Sequence, residues 1–331
     1  MAQSTVYDVA NKAGVSIATV SRVVNAPTKV NPDTRQRVLD AIDELRYIPK
    51  AEAVARARKS TGRIGVLAPF FTYPSFVQRL RGVADALTNL PYELTVYNVD
   101  SSSRRDGYVA SVSLTRRLDG LILMALPFNE EIVERLVSNS LETVSIETTH
   151  PAFSSIEIDD YSGGRMAAEY FIRKGHRRLA FIGDTSLPEH AFPTSDRRLT
   201  GYRAAIADAG LTLDHTSIAL APQSMENAKL SMQQLIAQPS PPTAVFCASD
   251  TQAMGALKQA RELGMQVPGD VAIMGFDDLD IADYIGLTTI RQHLEESGRL
   301  AVELLLARLD DETRPLQHVR LSLEIIERET A

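Results

Sequence analysis

Val6-Tyr7-Asp8-Val9-Ala10-Asn11-Lys12-Ala13-Gly14-Val15-Ser16-Ile17-Ala18-Thr19-Val20-Ser21-Arg22-Val23-Val24-Asn25 carries two short helical patterns joined by one tight turn. Val6, Val9, Ala10 and Ala13 recur at helical spacing, and Gly14 is the residue type that most readily ends a helix in a left-handed conformation. Ser16 starts the second pattern as an N-cap, its oxygen placed to accept a backbone N–H, and Ile17, Val20, Val23 and Val24 carry it. Ala10, Gly14 and Val20 have helix-turn-helix spacing: a small residue lets the helices approach, glycine permits the turn, and a β-branched residue fills the junction. Taken alone, those three residues suit a plain three-helix bundle equally well. Downstream, Asn31 and Pro32 form a cap and first-turn pair, and a third helix runs to about Leu45 with Val38, Leu39, Ile42 and Leu45 inward.

After Gly62 the pattern changes to short apolar runs alternating with helical segments. Ile64–Leu67, Leu94–Val96, Gly120–Met124, Val144–Ile146 and Ser155–Ile158 read as strands, and Pro74–Leu90 reads as a helix. The second half repeats the scheme with strands at Ala180–Gly183, Ser217–Leu220, Ala244–Phe246 and Ala272–Gly275, and a last strand at Leu321–Ile326. Such alternation predicts α/β architecture: parallel, doubly wound sheets with helices on both faces and a ligand site beyond the carboxyl ends of the strands.

A chain of 331 residues exceeds one ordinary core, so two or three domains are expected. No apolar run reaches the roughly 18 residues of a membrane span, and the first residues lack the apolar stretch of a secretory signal. The single cysteine, Cys247, cannot form an intrachain disulfide, which points to a reducing, cytoplasmic compartment. Charge is unevenly distributed. Residues 1–63 hold 11 Lys/Arg and 6 Asp/Glu, a balance of +5; the remainder holds 35 − 11 = 24 against 42 − 6 = 36, a balance of −12. A basic head on an acidic body suits a head that meets phosphates.

The strings Val6–Ala10, Ala13–Ser16, Thr19–Asn25 and Tyr47-Ile48-Pro49 resemble the headpiece of the lac repressor/galactose repressor family, and the resemblance extends along nearly the whole chain. It implies a headpiece at 1–49, a hinge at 50–62 and an effector-binding, dimerising body at 63–331. The body would divide into an N-subdomain (about 63–160 and 291–322) and a C-subdomain (about 161–290 and 323–331), like a periplasmic sugar-binding protein, with crossings near Asp160, Ile290 and Leu323. The second helix would enter the major groove of operator DNA. Arg22 would then bond a guanine edge, Ile17 and Ala18 would offer apolar contact, and Thr5, Tyr7, Ser16, Thr19, Ser21, Asn25 and Lys29 would hold phosphates. Tyr47 and the hinge residues Ala53 and Arg56 complete the expected DNA-binding set. Arg56 stands where the family usually has a leucine wedged into the minor groove, and Lys50 replaces a usual asparagine, so an operator bent less than in the family, or bent by another residue, is expected.

In the body, Arg198-Leu199-Thr200-Gly201-Tyr202 and Gly275-Phe276-Asp277-Asp278 match family motifs whose arginine and first aspartate grip the effector. Around Arg198 and Asp277 the resemblance places Ser249, Gln223, Asp159 and Glu147, with Phe71 and Tyr73 from an aromatic loop covering a ring face. It leaves sugars, sugar phosphates and purines open as effector. The acids Asp159, Asp277 and Glu147 disfavour a phosphate, so a neutral polyol, a sugar, is expected. The chain lacks G-x-S-x-G, G-x-x-x-x-G-K-[ST], G-x-G-x-x-G and H-E-x-x-H, and no cofactor or metal is expected; it reads as a regulator, not an enzyme. A solute-binding protein would fit the body but not the head. Without a C-terminal leucine heptad, a homodimer on a pseudo-palindromic operator is expected, acting at the nucleoid.

Overall fold

The computed structural model describes residues 5–25, 30–45, 47, 61–115, 117–185 and 188–331. The chain forms two compact units, a head and a body. In the head, α1 (Val6–Ala13), α2 (Ile17–Asn25) and α3 (Pro32–Leu45) surround a core of Val9, Ala10, Ala13, Val20, Val23, Val38 and Ala41. Thr5 caps α1 in a reciprocal box with Asp8: the Asp8 N–H donates to Thr5 Oγ1 at 3.4 Å and the Thr5 N–H donates to Asp8 Oδ2 at 2.7 Å. Gly14 ends the helix at φ 63°, a conformation that penalises any side chain. The Thr19 N–H donates to Ser16 Oγ at 3.1 Å, so Ser16 is the cap of α2. One inward residue differs from expectation: Leu39 is 40% exposed and Ala41 is buried in its place. Residues 38, 41, 42 and 45 share one face at helical spacing, and Leu39 lies about 100° off the buried Val38.

The body holds two parallel sheets. The first has six strands in the order β11-β5-β4-β3-β1-β2, comprising β1 (Arg63–Ala68), β2 (Glu93–Asn98), β3 (Gly120–Met124), β4 (Glu142–Ile146), β5 (Ser154–Ile158) and β11 (His318–Leu321). The second has four, β7-β6-β8-β9, comprising β6 (Leu179–Asp184), β7 (Ile218–Ala221), β8 (Ala244–Cys247) and β9 (Ala272–Met274). A third, two-stranded antiparallel sheet pairs β10 (Thr289–Arg291) with β12 (Glu324–Ile326). Strands such as β3 and β8 are buried along their whole length, as parallel strands covered on both faces must be. In the second sheet Phe181 and Phe246 face the cluster containing Phe171, Tyr202 and Phe276, while Ile182, Val245 and Cys247 face the cluster containing Met232 and Leu257.

Helices α4 (Pro74–Leu87), α5 (Ser102–Thr115), α6 (Glu130–Ser138) and α12 (Leu294–Asp310) belong to the first lobe, where α4 and α12 pack together. Helices α7 (Asp160–Arg173), α8 (Thr194–Asp208), α9 (Met225–Ile236) and α10 (Asp250–Glu262) flank the second sheet as the pairs α7–α8 and α9–α10, and α11 (Asp280–Tyr284) is short. The expected single strand at 321–326 is two. Its start pairs in the first sheet beside β5 and its end pairs with β10, because the chain passes from one lobe to the other at Ser322 and Leu323. Among the described residues no helix is long and apolar enough to cross a membrane.

Candidate functional site

Two regions gather the polar groups singled out in the sequence. In the head, Tyr7, Ser16, Ile17, Ala18 and Arg22 are exposed, with Tyr7 at 64% and Ile17 at 39%. Thr19 and Ser21 are half-buried, and Ser16 Oγ lies 2.9 Å from Thr19 Oγ1. Thr5 is engaged locally, its hydroxyl donating to Asp8 Oδ2 at 2.7 Å. Tyr47 packs half-buried against the head core. Asn25 closes α2; its side chain, Lys29, Ala53 and Arg56 lie outside the described residues.

The second region is a cleft between the lobes of the body. The first lobe lines it with Phe70, Tyr73, Phe76, Arg79, Ala125 and Glu147; the second with Asp184, Phe192, Arg198, Gln223, Ser249 and Asp277; Gln292 comes from the crossing after β10. The space left is about 60 Å³. That is well below the roughly 300–1,000 Å³ of an occupied ligand pocket, so the lobes are closed. Its walls are held in unusual backbone conformations. Phe70 (φ 47°), Ala125 (φ 52°), Glu147 (φ 72°) and Asp277 (φ 129°) all adopt positive φ and all line the cleft. Clustered strain in non-glycine residues marks sites where side-chain placement outweighs backbone comfort.

Arg198 is 4% exposed. Its Nε donates to Asp160 Oδ1 at 2.8 Å, its Nη1 to the Ala248 carbonyl at 2.5 Å, and its guanidinium stacks 3.5 Å from the centre of the Phe276 ring. Asp277 Oδ1 accepts from Gln292 Nε2 at 2.5 Å and lies 4.0 Å from Arg198 Nη1. Across the cleft, Arg79 Nη1 donates to Glu147 Oε1 at 2.7 Å and its Nη2 to Gln292 Oε1 at 3.1 Å. A buried chain of hydrogen bonds thus runs from the first lobe through Gln292 to Asp277. Gln223 Nε2 donates to Ser249 Oγ at 3.3 Å beside it, and Ser249 caps α10. Phe70 and Tyr73 stack with centroids 5.1 Å apart and 14° between planes.

Arg198, Asp277, Glu147, Gln223, Ser249 and Tyr73 are therefore brought together, and two expected residues are not. Asp159 caps α7, accepting from the Ser162 N–H at 3.0 Å, and it lies outside the cleft; its neighbour Asp160 turns inward and holds Arg198. Phe71 packs half-buried against the first-lobe core, and Phe70 takes the cleft position, since the chain turns there with Phe70 at φ 47°. Arg79, Asp184 and Gln292 went unread. Arg79 left a trace in the sequence: it is a charged residue three after Phe76 and four before Val83 on the apolar stripe of α4. Gln292 and Asp184 left none, because only the closing of the lobes brings them to one site.

Burial pushes the Asp277 carboxyl up to about 8, against the opposing pull of Arg198. Asp160 and Asp184 rise to about 6 for the same first reason. A carboxyl raised in the folded chain stabilises the fold while protonated and loses that contribution as pH rises through its folded value. Asp277→Asn removes a group that opposes folding between about pH 4 and 8. The gap in melting temperature between variant and wild type is expected to widen from about pH 5 to 8; a gap independent of pH would contradict the assignment.

A model of the lacI family of bacterial regulatory proteins matches residues 5–50, and a periplasmic binding protein-like domain matches residues 168–331. The HTH-type transcriptional repressor CytR of Escherichia coli (strain K12) is 34% identical over 307 residues, covering 92% of this chain and 89% of that one. The lac repressor dimer bound to operator and the anti-inducer ONPF superposes with a TM-score of 0.80 at 25% identity, over 99% of both chains. The transcriptional regulator CelR in complex with cellobiose gives 0.70 at 28% identity, over 99% of this chain and 100% of that one. The chain belongs to the lacI family of bacterial regulatory proteins: it is a DNA-binding transcriptional regulator with an effector-binding domain, not an enzyme.

Proposed function

We propose that this protein is a homodimeric, cytoplasmic repressor whose hold on a pseudo-palindromic operator is released when a sugar occupies the interlobe cleft. The observation that carries the effector half is the closed cleft itself, where the second-lobe pair Arg198 and Asp277 is joined through Gln292 to the first-lobe pair Arg79 and Glu147. Guanidinium and carboxylate groups suit vicinal hydroxyls, offering donors and acceptors in fixed geometry. Both arginines are already paired with carboxylates, so the cleft has no spare positive charge for a phosphate. A solved relative with cellobiose supports a sugar, and one solved as a dimer on operator supports the DNA reading. A ligand that touches both lobes couples to operator affinity by linkage: it changes DNA binding by the factor by which DNA changes its own.

For the DNA half, exposed Ile17, Ala18 and Arg22 read base edges while the capped start of α2 faces the backbone. Arg22→Ala is expected to weaken a selected operator by about 1–3 kcal/mol, since a bidentate guanine contact is lost, with the melting temperature unchanged. The check is fluorescence anisotropy on operator DNA; full affinity in the variant would remove Arg22 from base reading. A thermal-shift screen over sugars, polyols, purines and sugar phosphates tests the effector. A sugar at a hundred times its Kd adds about 2.7 kcal/mol of stability. A shift with purines or phosphates alone would replace the sugar by those ligands, and an effector that tightens operator binding would make it a corepressor.

A further inference from the structure

The cleft contains more buried negative charge than its own cations balance. Arg79 is engaged by Glu147 at 2.7 Å and Arg198 by Asp160 at 2.8 Å. Two further carboxyls line the same cavity, Asp184 at 8% and Asp277 at 5% exposure. Asp277 has the Gln292 amide and, at 4.0 Å, the already engaged Arg198. The Asp184 carboxylate accepts from Gln252 Nε2 at 2.8 Å and, among the described residues, makes no ion pair. By formal charge these groups sum to 2 − 4 = −2, and burial answers part of that excess by holding Asp277, and less strongly Asp184, towards the neutral acid. Buried acids are ordinarily paired, and an unpaired one asks for an explanation. A metal ion does not supply it: among the described residues no three His, Cys, Asp or Glu side chains stand where they could hold one.

We propose that the effector carries a protonated amino group held by Asp184, so that the cleft selects an amino sugar over the neutral sugar of the same shape. This rests on the sugar reading above. Hydroxyls of a neutral sugar would fill the acceptor sites of Asp184 but leave its charge uncompensated; an ammonium brings three N–H donors and a countercharge together. Asp184 ends β6 in the second lobe, while Phe70 and Tyr73 stack on the first-lobe side of the same cavity. Burial and the charge of Asp184 hold the Tyr73 hydroxyl above its ordinary value. A closed cleft therefore presents an acid and an aromatic face to one ligand, the pair of surfaces that a cation prefers.

The test is isothermal titration of the full chain at neutral pH with D-glucosamine, D-galactosamine and D-mannosamine, each beside its neutral parent and its uncharged N-acetyl derivative. At least one amino sugar is expected to bind about tenfold or more tightly than both partners of its set, as a desolvated charge pair supplies. Asp184→Asn keeps the size of the side chain and an acceptor for Gln252, and it is expected to bring that amino sugar to within about twofold of its neutral parent. Equal or tighter binding of a neutral parent overturns the inference and leaves the sugar reading standing. A preference for the amino sugar that survives Asp184→Asn overturns the role of Asp184. Failure of every member of all three sets overturns the amino-sugar assignment, and if the thermal screen then answers only to purines or phosphates, the sugar reading falls separately.

Discussion

Arg198→Ala is expected to cost the body about 3–5 kcal/mol of stability before any question of effector binding arises, because it leaves Asp160 as a fully buried, unpaired acid. Asp160 is 0% exposed, and its Oδ1 meets both Nε and Nη2 of the arginine. The Ala248 carbonyl loses its donor and the Phe276 ring its stacked guanidinium in the same step. Urea denaturation measures the loss. The double variant Arg198→Met with Asp160→Asn separates pairing from packing: it removes the stranded charge and is expected to recover about half or more of the penalty. Additive penalties would mean that the pair contributes nothing beyond its two side chains. Loss of effector response in Arg198→Ala is therefore informative only beside this measurement, whereas Asp184→Asn and Asp277→Asn alter the site without stranding a charge.

Gly164→Ala and Gly201→Ala are each expected to destabilise the second lobe by about 3 kcal/mol or more. Helices α7 and α8 cross at these two glycines. A Cβ on Gly164 would stand 1.9 Å from the Arg198 carbonyl oxygen, and one on Gly201 would stand 1.9 Å from the Tyr161 carbonyl oxygen. The obstacle is backbone in both cases, so no rotamer change relieves it; the helices must separate. That separation would pull Arg198 from Asp160, since Arg198 lies on α8 and Asp160 at the start of α7. Gly107→Ala in α5 serves as the control. Nothing lies within 4 Å of its added methyl, and alanine there is expected to stabilise by about 0.5–1 kcal/mol. Thermal melts of the three variants check the ordering; a small loss at Gly164 or Gly201 would mean the helix pair tolerates spreading.

What the linear sequence determined is whatever rests on local spacing. The capped helices of the head and the strand-and-helix alternation of the body are contained in short windows, where periodicity, caps and glycine speak directly, while Arg198 and Asp277 were legible only through the resemblance of their motifs to the family's. Leu39 marks the resolution limit of that reading, since choosing the buried face of α3 takes knowledge of what packs on it. The tertiary structure decided which neighbour of a pair turns inward. Asp160 rather than Asp159 holds Arg198, and Phe70 rather than Phe71 faces the cleft, because a one-residue step redirects the side chain at a helix start or where a loop turns. It also decided the cleft's charge. Arg79, Glu147, Asp184, Asp277 and Gln292 lie up to 213 residues apart in the chain, and no local pattern connects them. Only the closing of two lobes, built from separate sheets, brings them to one cavity away from water, where burial raises the cost of each carboxyl's charge.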